Sequence, residues 1–249
     1  MQEGSWEASV TPTIGVDLSP AQALACAFRV LAASGFSENL GGHISWTDRG
    51  DESMLVNPWG LWWSELTASD ICRIDAEGRV IEGRWDVTPA IHIHTELHRA
   101  NPEARVVVHN HPYWVTVLAA LGELPEIFHQ TGCLFADEMV FVDEYDGSIE
   151  DATSGVRLAR HVGKHRVAVL ANHGVIVSGM TLADAVYRAG SFDRQCRLAY
   201  DVLQTGRSPR PVPISARRGM QDILVDRAPE IYWSGAVRQL LKSNPEILT

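Results

Sequence analysis

The stretch "VVVHNHPYW", residues 106–114, sets two histidines one residue apart at the end of a β-branched run. On a strand, residues i and i+2 face the same way. His109 and His111 therefore project side by side from the end of a buried strand read over "ARVVVHNHP". Two imidazoles so placed can share one metal, each offering a nitrogen lone pair about 2.0–2.1 Å from the ion. They can equally cap the strand end as a hydrogen-bonded pair, and the spacing alone leaves both readings open.

The flanking segments place that strand in a sheet. "SPAQALACAFRVLAASG" reads as a helix with Ser19 as N-cap, Pro20 in the first position and Gly35 at the C-terminal stop. "GGHISWTDRGDESMLVNPWG" reads as two strands around the polar turn "DRGD", and "ICRIDAEGRVIEG" as a hairpin turning at "AEG". "TPAIHIHTELHRANPEA" is a helix capped by Thr88 and ended by Pro102. "PYWVTVLAALG" is helical, "RVAVLANHGVIVSG" is strand, turn and strand, and a long amphipathic helix opens at Thr181 and Asp184. The last third reads as helical, with proline-broken loops. Interleaved strands and helices with several hairpins imply an α/β domain whose mixed, largely antiparallel sheet is covered by helices. Residues 1–17 read as an arm and 18–249 as one domain with a helical C-terminal region.

The 249 residues suffice for one sizeable core, and no apolar run reaches membrane-spanning length. The net charge of −10 weighs against a nucleic-acid partner, because phosphate binding needs a basic face. No signal peptide is read at "MQEGSWEASVTPTIG", and the four scattered cysteines read as reduced core thiols of a cytoplasmic protein.

A third histidine, His173 in "ANHGVIV", sits in the turn between two apolar strands, with turn formers Asn172 and Gly174 beside it. Such a residue can be exposed and idle, or it can complete a three-histidine site. Three neutral ligands with an open fourth position describe a catalytic metal acting as a Lewis acid.

Taken together, "ARVVVHNHP", the later "NHG" and the upstream "GGHIS", "NPWG" and "IHTELHRANPEA" resemble the class II aldolase/adducin family over about residues 19–206. The resemblance implies a three-layer α/β/α domain and a homotetramer with active sites between subunits. It also implies His109, His111 and His173 as ligands of a divalent metal, Zn2+ first, with Mn2+, Fe2+ or Co2+ as alternatives.

Fuculose-phosphate-type aldolases of the family carry "SSE" before the HxH strand, and that acid/base glutamate falls here on Ala90, with Thr88 and Pro89 in place of the serines. Their "GNVS" becomes "GGHIS", with His43. Their "TPTG" becomes "NPWG", so Asn57, Trp59 and Gly60 stand at the substrate-binding motif, with Trp59 in place of a small phosphate-binding residue. A phosphorylated substrate is therefore not expected. The pattern is closer to the decarboxylase-like branch, which includes hydroxypyridine-dicarboxylate and dihydroxyphthalate decarboxylases. Loss of CO2 from such a ring needs no starting base, only an acid afterwards.

Candidate acids are His129, near the position of the aldolases' cross-subunit tyrosine, then His43, and His94, one turn beyond Ala90. For His94 a core role with a backbone partner is the weightier reading. His92 reads as a surface partner of Glu96, and His98, His161 and His165 as solvated. Trp62 and Trp63 read as core or interface packing, and "DEYDG", residues 143–147, as a solvated turn. Three functions follow in order: a decarboxylase of a hydroxylated aromatic carboxylate, an aldolase for a non-phosphorylated hydroxy-keto acid, and a non-catalytic adducin-like module.

Overall fold

A computed structural model describes residues 8, 10–48, 51–145, 147 and 149–249. Most of the tip of the "DRGD" turn, Asp146 of "DEYDG" and most of the first nine residues lie outside it. The described part of the expected arm, residues 10–17, holds no helix or strand.

The strands are β1 (His43–Trp46), β2 (Met54–Val56), β3 (Cys72–Ile74), β4 (Val80–Glu82), β5 (Val106–Asn110), β6 (Met139–Val142), β7 (Val167–Leu170) and β8 (Gly174–Gly179). They form one sheet in the order β4-β3-β2-β1-β5-β8-β7-β6. Only β6 and β7 pair in parallel, so the sheet is mixed and largely antiparallel, as the hairpin pattern requires.

Helix α1 (Pro20–Ala33) starts on a capping box between Ser19 and Gln22 and stops at Gly35, whose φ of +82° suits glycine. The other helices are α2 (His92–Ala100), α3 (Tyr113–Leu121), α4 (Ala152–Val162), α5 (Leu182–Gln204) and α6 (Ile214–Ser243). Strand alternation sorts the two faces. Val106 and Val108 point into the larger core with α1, α3 and α5, while Val107 joins Ile93 and Leu97 of α2 and Leu158 of α4. All three valines are fully buried, each burial contributing roughly 1.5–3 kcal/mol. His109 and His111 continue the Val107 side. The α2/α4 face is therefore the one that carries the histidines.

Two local features depart from simple helix rules. Pro229 lies buried inside α6 and does not end it, because packing against α5 and the 3-10 segment Gln130–Phe135 holds both halves. The helix after Thr88 opens as a 3-10 turn, Pro89–Ile91, with a kink at Ala90 (φ −77°, ψ 16°) before α2 begins.

Candidate metal centre and its pocket

β5 sits between β1 and β8, and register fixes what stands beside His109. His43 pairs with it from β1, and Ile176 from β8. His111 lies one residue beyond the strand, and the β7–β8 turn brings His173 up to both. Ring centroids are 5.1 Å apart for His109 and His111, 4.9 Å for His109 and His173, and 4.8 Å for His111 and His173. Their ligand nitrogens all fall within 4.8 Å of one another, so this trio can hold one ion.

The hydrogen bonds orient the rings for it. His109 Nδ1 lies 3.0 Å from the Val175 carbonyl oxygen, which can only accept, so the proton is on Nδ1 and Nε2 carries the lone pair. His111 Nδ1 donates to Glu38 Oε2 at 2.7 Å, and its Nε2 is buried with no partner. A donated Nδ1–H with a bare Nε2 is the arrangement of a metal-binding histidine. Burial, followed by the neighbouring His111, holds His173 down to about 4. Burial likewise holds His109 well below the usual range, with the neighbouring His173 and His43 adding to it. Both rings are thus neutral at neutral pH, the form in which an imidazole can hold a metal.

Several residues that sequence reading passed over hold this geometry. Asn110, fully buried between the two histidines, accepts from the backbone N–H of Glu38 and of His111 and donates to the Gly41 carbonyl. Gly42 has φ +88°, and a Cβ there would run into the Asn110 side chain. Gly174, read as a turn glycine, is the first residue of β8. Its hydrogen faces the Asn110 carbonyl and His111 Cδ2, and a Cβ would lie 2.7 Å from the latter. The left-handed turn is made by Asn172 instead, at φ +52°.

The trio opens on a cavity of about 330 Å3. Its wall includes His43, Trp59, Thr88 and Ala90, as the motifs suggested, together with Tyr145 and Glu150. Trp59 is 56% exposed, with its indole available as a flat wall. Tyr145, Gly147, Ile149 and Glu150 line one side of the pocket, so the described part of "DEYDG" is not merely a solvated turn.

The remaining expected site residues fall elsewhere. Asn57 is buried and holds the "GGHIS" loop, accepting from Ile44 N–H and donating to the Gly42 and Pro58 carbonyls. Gly60, at φ +91°, shapes the "NPWG" turn. Neither is among the residues lining the cavity. Trp63 is core, edge-on to Phe28 at 4.9 Å, whereas Trp62 is half exposed. His129 packs near Gly132 and against Gln195, and it lies outside the pocket of its own chain.

His94 is fully buried and off the pocket wall, and its partners are side chains where a backbone partner was expected. It bridges His43 Nδ1 at 3.3 Å and Ser45 Oγ at 2.6 Å. His98 is not solvated either, because it hydrogen bonds Ser45 Oγ and the Ala104 carbonyl. Glu96 is buried and pairs with Arg99, in place of the surface contact with His92. Burial, with the nearby His111 and His173 adding to it, lowers His43 to about 3.

Known proteins share this architecture. The chain is 31% identical over 217 residues to 3,4-dihydroxyphthalate decarboxylase of Terrabacter sp. (strain DBF63), covering 81% of this chain and 89% of that protein. It is 28% identical over 198 residues to decarboxylase NovR of Streptomyces niveus, covering 78% and 73%. L-fuculose 1-phosphate aldolase from Glaciozyma antarctica PI12 superposes with a TM-score of 0.80 at 22% identity, covering 92% of this chain and 91% of that one, a likeness of fold. Residues 22–200 match the family described as Class II Aldolase and Adducin N-terminal domain, and the chain belongs to that family.

Proposed function

We propose that this protein is a divalent-metal-dependent carbon–carbon lyase that decarboxylates a hydroxylated aromatic carboxylate without an oxidant. The observation that carries the reading is the pocket wall at Ala90. A methyl group stands there, beside three histidines oriented for a metal, where a proton-abstracting carboxylate would be needed to start an aldol cleavage.

His109, His111 and His173 would hold the ion, with Zn2+ the first choice for three imidazoles and Mn2+, Fe2+ or Co2+ as alternatives. Bound there, it supplies Lewis acidity toward the substrate's oxygens. Trp59 offers a planar face for a flat ring, and Ala90 leaves room above it. His43 lines the pocket and is kept neutral by burial, so it would relay the ring hydroxyl proton to the ring carbon as CO2 leaves without resting charged. The product then departs as a phenolate, which gains its proton from water. Thr88 adds a hydroxyl to the same wall, although its Oγ1 already accepts from Ala90 N–H. Asn57, Gly60 and His94 support the wall from behind.

A second reading has one observation in its favour. Glu150 lines the pocket and could serve as the base for retro-aldol cleavage of a non-phosphorylated hydroxy-keto acid. In either case we infer a homo-oligomer, a tetramer by family likeness, in which His129 serves a neighbouring subunit's pocket. That placement follows the family likeness, since His129 lies outside the pocket of its own chain. Incubation of metal-loaded protein with a panel of hydroxyaryl dicarboxylates tests the choice: CO2 supports the decarboxylase, and an aldehyde or pyruvate from hydroxy-keto acids supports the aldolase.

A further inference from the structure

Behind the pocket, four side chains and a carbonyl form one continuous hydrogen-bonded row on the α2/α4 face of the sheet. His43 Nδ1 lies 3.3 Å from His94 Nε2, and His94 Nδ1 lies 2.6 Å from Ser45 Oγ. Ser45 Oγ lies 2.7 Å from His98 Nε2, and His98 Nδ1 lies 2.6 Å from the Ala104 carbonyl oxygen. His94 and Ser45 are fully buried.

The last link fixes the direction of all the others. A carbonyl oxygen only accepts, so His98 carries its proton on Nδ1 and, neutral, has a lone pair on Nε2. Ser45 has one hydroxyl proton and must give it to that lone pair. Its oxygen then accepts from His94 Nδ1–H, which leaves His94 Nε2 bare. His43 can bond that nitrogen only by donating from Nδ1. We propose that Ser45, His94 and His98 are positioning residues that hold His43 in the Nδ1–H tautomer, so that its bare Nε2 is the nitrogen offered to the pocket.

The row is an anchor and not a proton conduit, because the Ala104 carbonyl cannot take a proton onward. Its polarity depends on His98 being neutral. A charged His98 would donate from both nitrogens and reverse the three bonds between it and His43, placing a proton on His43 Nε2. Burial, which keeps His98 neutral down to about 4, protects the direction. A pocket whose wall presents a fixed acceptor favours substrates with a hydroxyl at that point over those lacking one, since a polar group left unpaired there is costly. This last step rests on the proposed reaction site, whereas the tautomer does not.

The test is spectroscopic and independent of turnover. Long-range 1H–15N correlation of the full chain with 15N-labelled histidine rings, at about pH 8, reports which nitrogen of each ring is protonated. His43, His94 and His98, assigned by their loss in single His→Gln variants, should each show a protonated Nδ1 and an unprotonated Nε2. Ser45→Ala should leave His43 with the averaged shifts of a tautomer mixture, and Ser45→Thr should restore the single form. A wild-type spectrum with Nε2–H on His43 overturns the proposal, and so does an unchanged single Nδ1–H form in Ser45→Ala. Should Ser45→Ala fail to fold, the wild-type spectrum decides alone. Failure of the decarboxylase assay would leave this result untouched.

Discussion

Glu38 accepts the Nδ1 proton of His111 at 2.7 Å, from a loop that lies far away in sequence and is held against β5 by Asn110. The carboxylate fixes the ring's orientation and tautomer, as partners behind metal ligands generally do. Glu38→Gln keeps the shape and loses the charge. Metal affinity should fall roughly 10–100-fold, measured by competition with a chromogenic chelator, with the melting temperature little changed. Unaltered affinity would remove Glu38 from the centre.

Gly174→Ala places a methyl against the Asn110 carbonyl and His111 Cδ2. Relief requires β8 to move from β5, at a cost of about 1–3 kcal/mol, or several degrees of melting temperature in a chain of this size. Metal affinity should fall with it, because His173 rides on that turn. Gly219→Ala, with open space around it on α6, is the control and should be neutral or stabilising.

Trp59 is the flat wall in the proposed reading. Trp59→Ala removes a stacking face worth roughly 0.5–1.5 kcal/mol, so KM for an aromatic substrate should rise up to about tenfold, with kcat changing less. Equal KM for both proteins would place the substrate elsewhere.

The buried histidines make stability depend on pH. His43, His98 and His173 have folded-state values lowered to about 3, 4 and 4. The unfolded chain binds these protons near 6.5 while the folded chain does not, so the folded state loses stability as acid is added. Urea denaturation of metal-free protein should show stability flat above about pH 7 and falling steadily towards about pH 4. A stability that stays level or rises as the pH falls through that window would contradict the burial of these rings.

How much was open to sequence reading follows from how far apart the partners lie. The HxH pair and the third histidine were legible because a strand's two-residue period and a turn between apolar runs are local signals. The helix caps at Ser19, Thr88 and Thr181 were legible for the same reason. Glu38 with His111, and Ser45 with His94 and His98, were not. Those contacts depend on β1 pairing with β5 in one particular register, which no local pattern specifies. His98 looked like the polar end of an amphipathic helix, yet α2 turns it toward the sheet. Trp59 and Trp63, four residues apart, parted because one lies on the pocket wall and the other in the core.

The central claim is that the three-histidine centre serves decarboxylation. The most direct measurement is CO2 evolved from hydroxyaryl dicarboxylates by Zn2+- or Mn2+-loaded protein, alongside the chelated protein and His173→Ala. The account predicts CO2 and a hydroxyaryl monocarboxylate in equal amounts from the loaded protein, with loss of turnover in both controls and the fold of His173→Ala retained. Turnover undiminished in His173→Ala, or no CO2 but aldehyde or pyruvate released from hydroxy-keto acids, would contradict it.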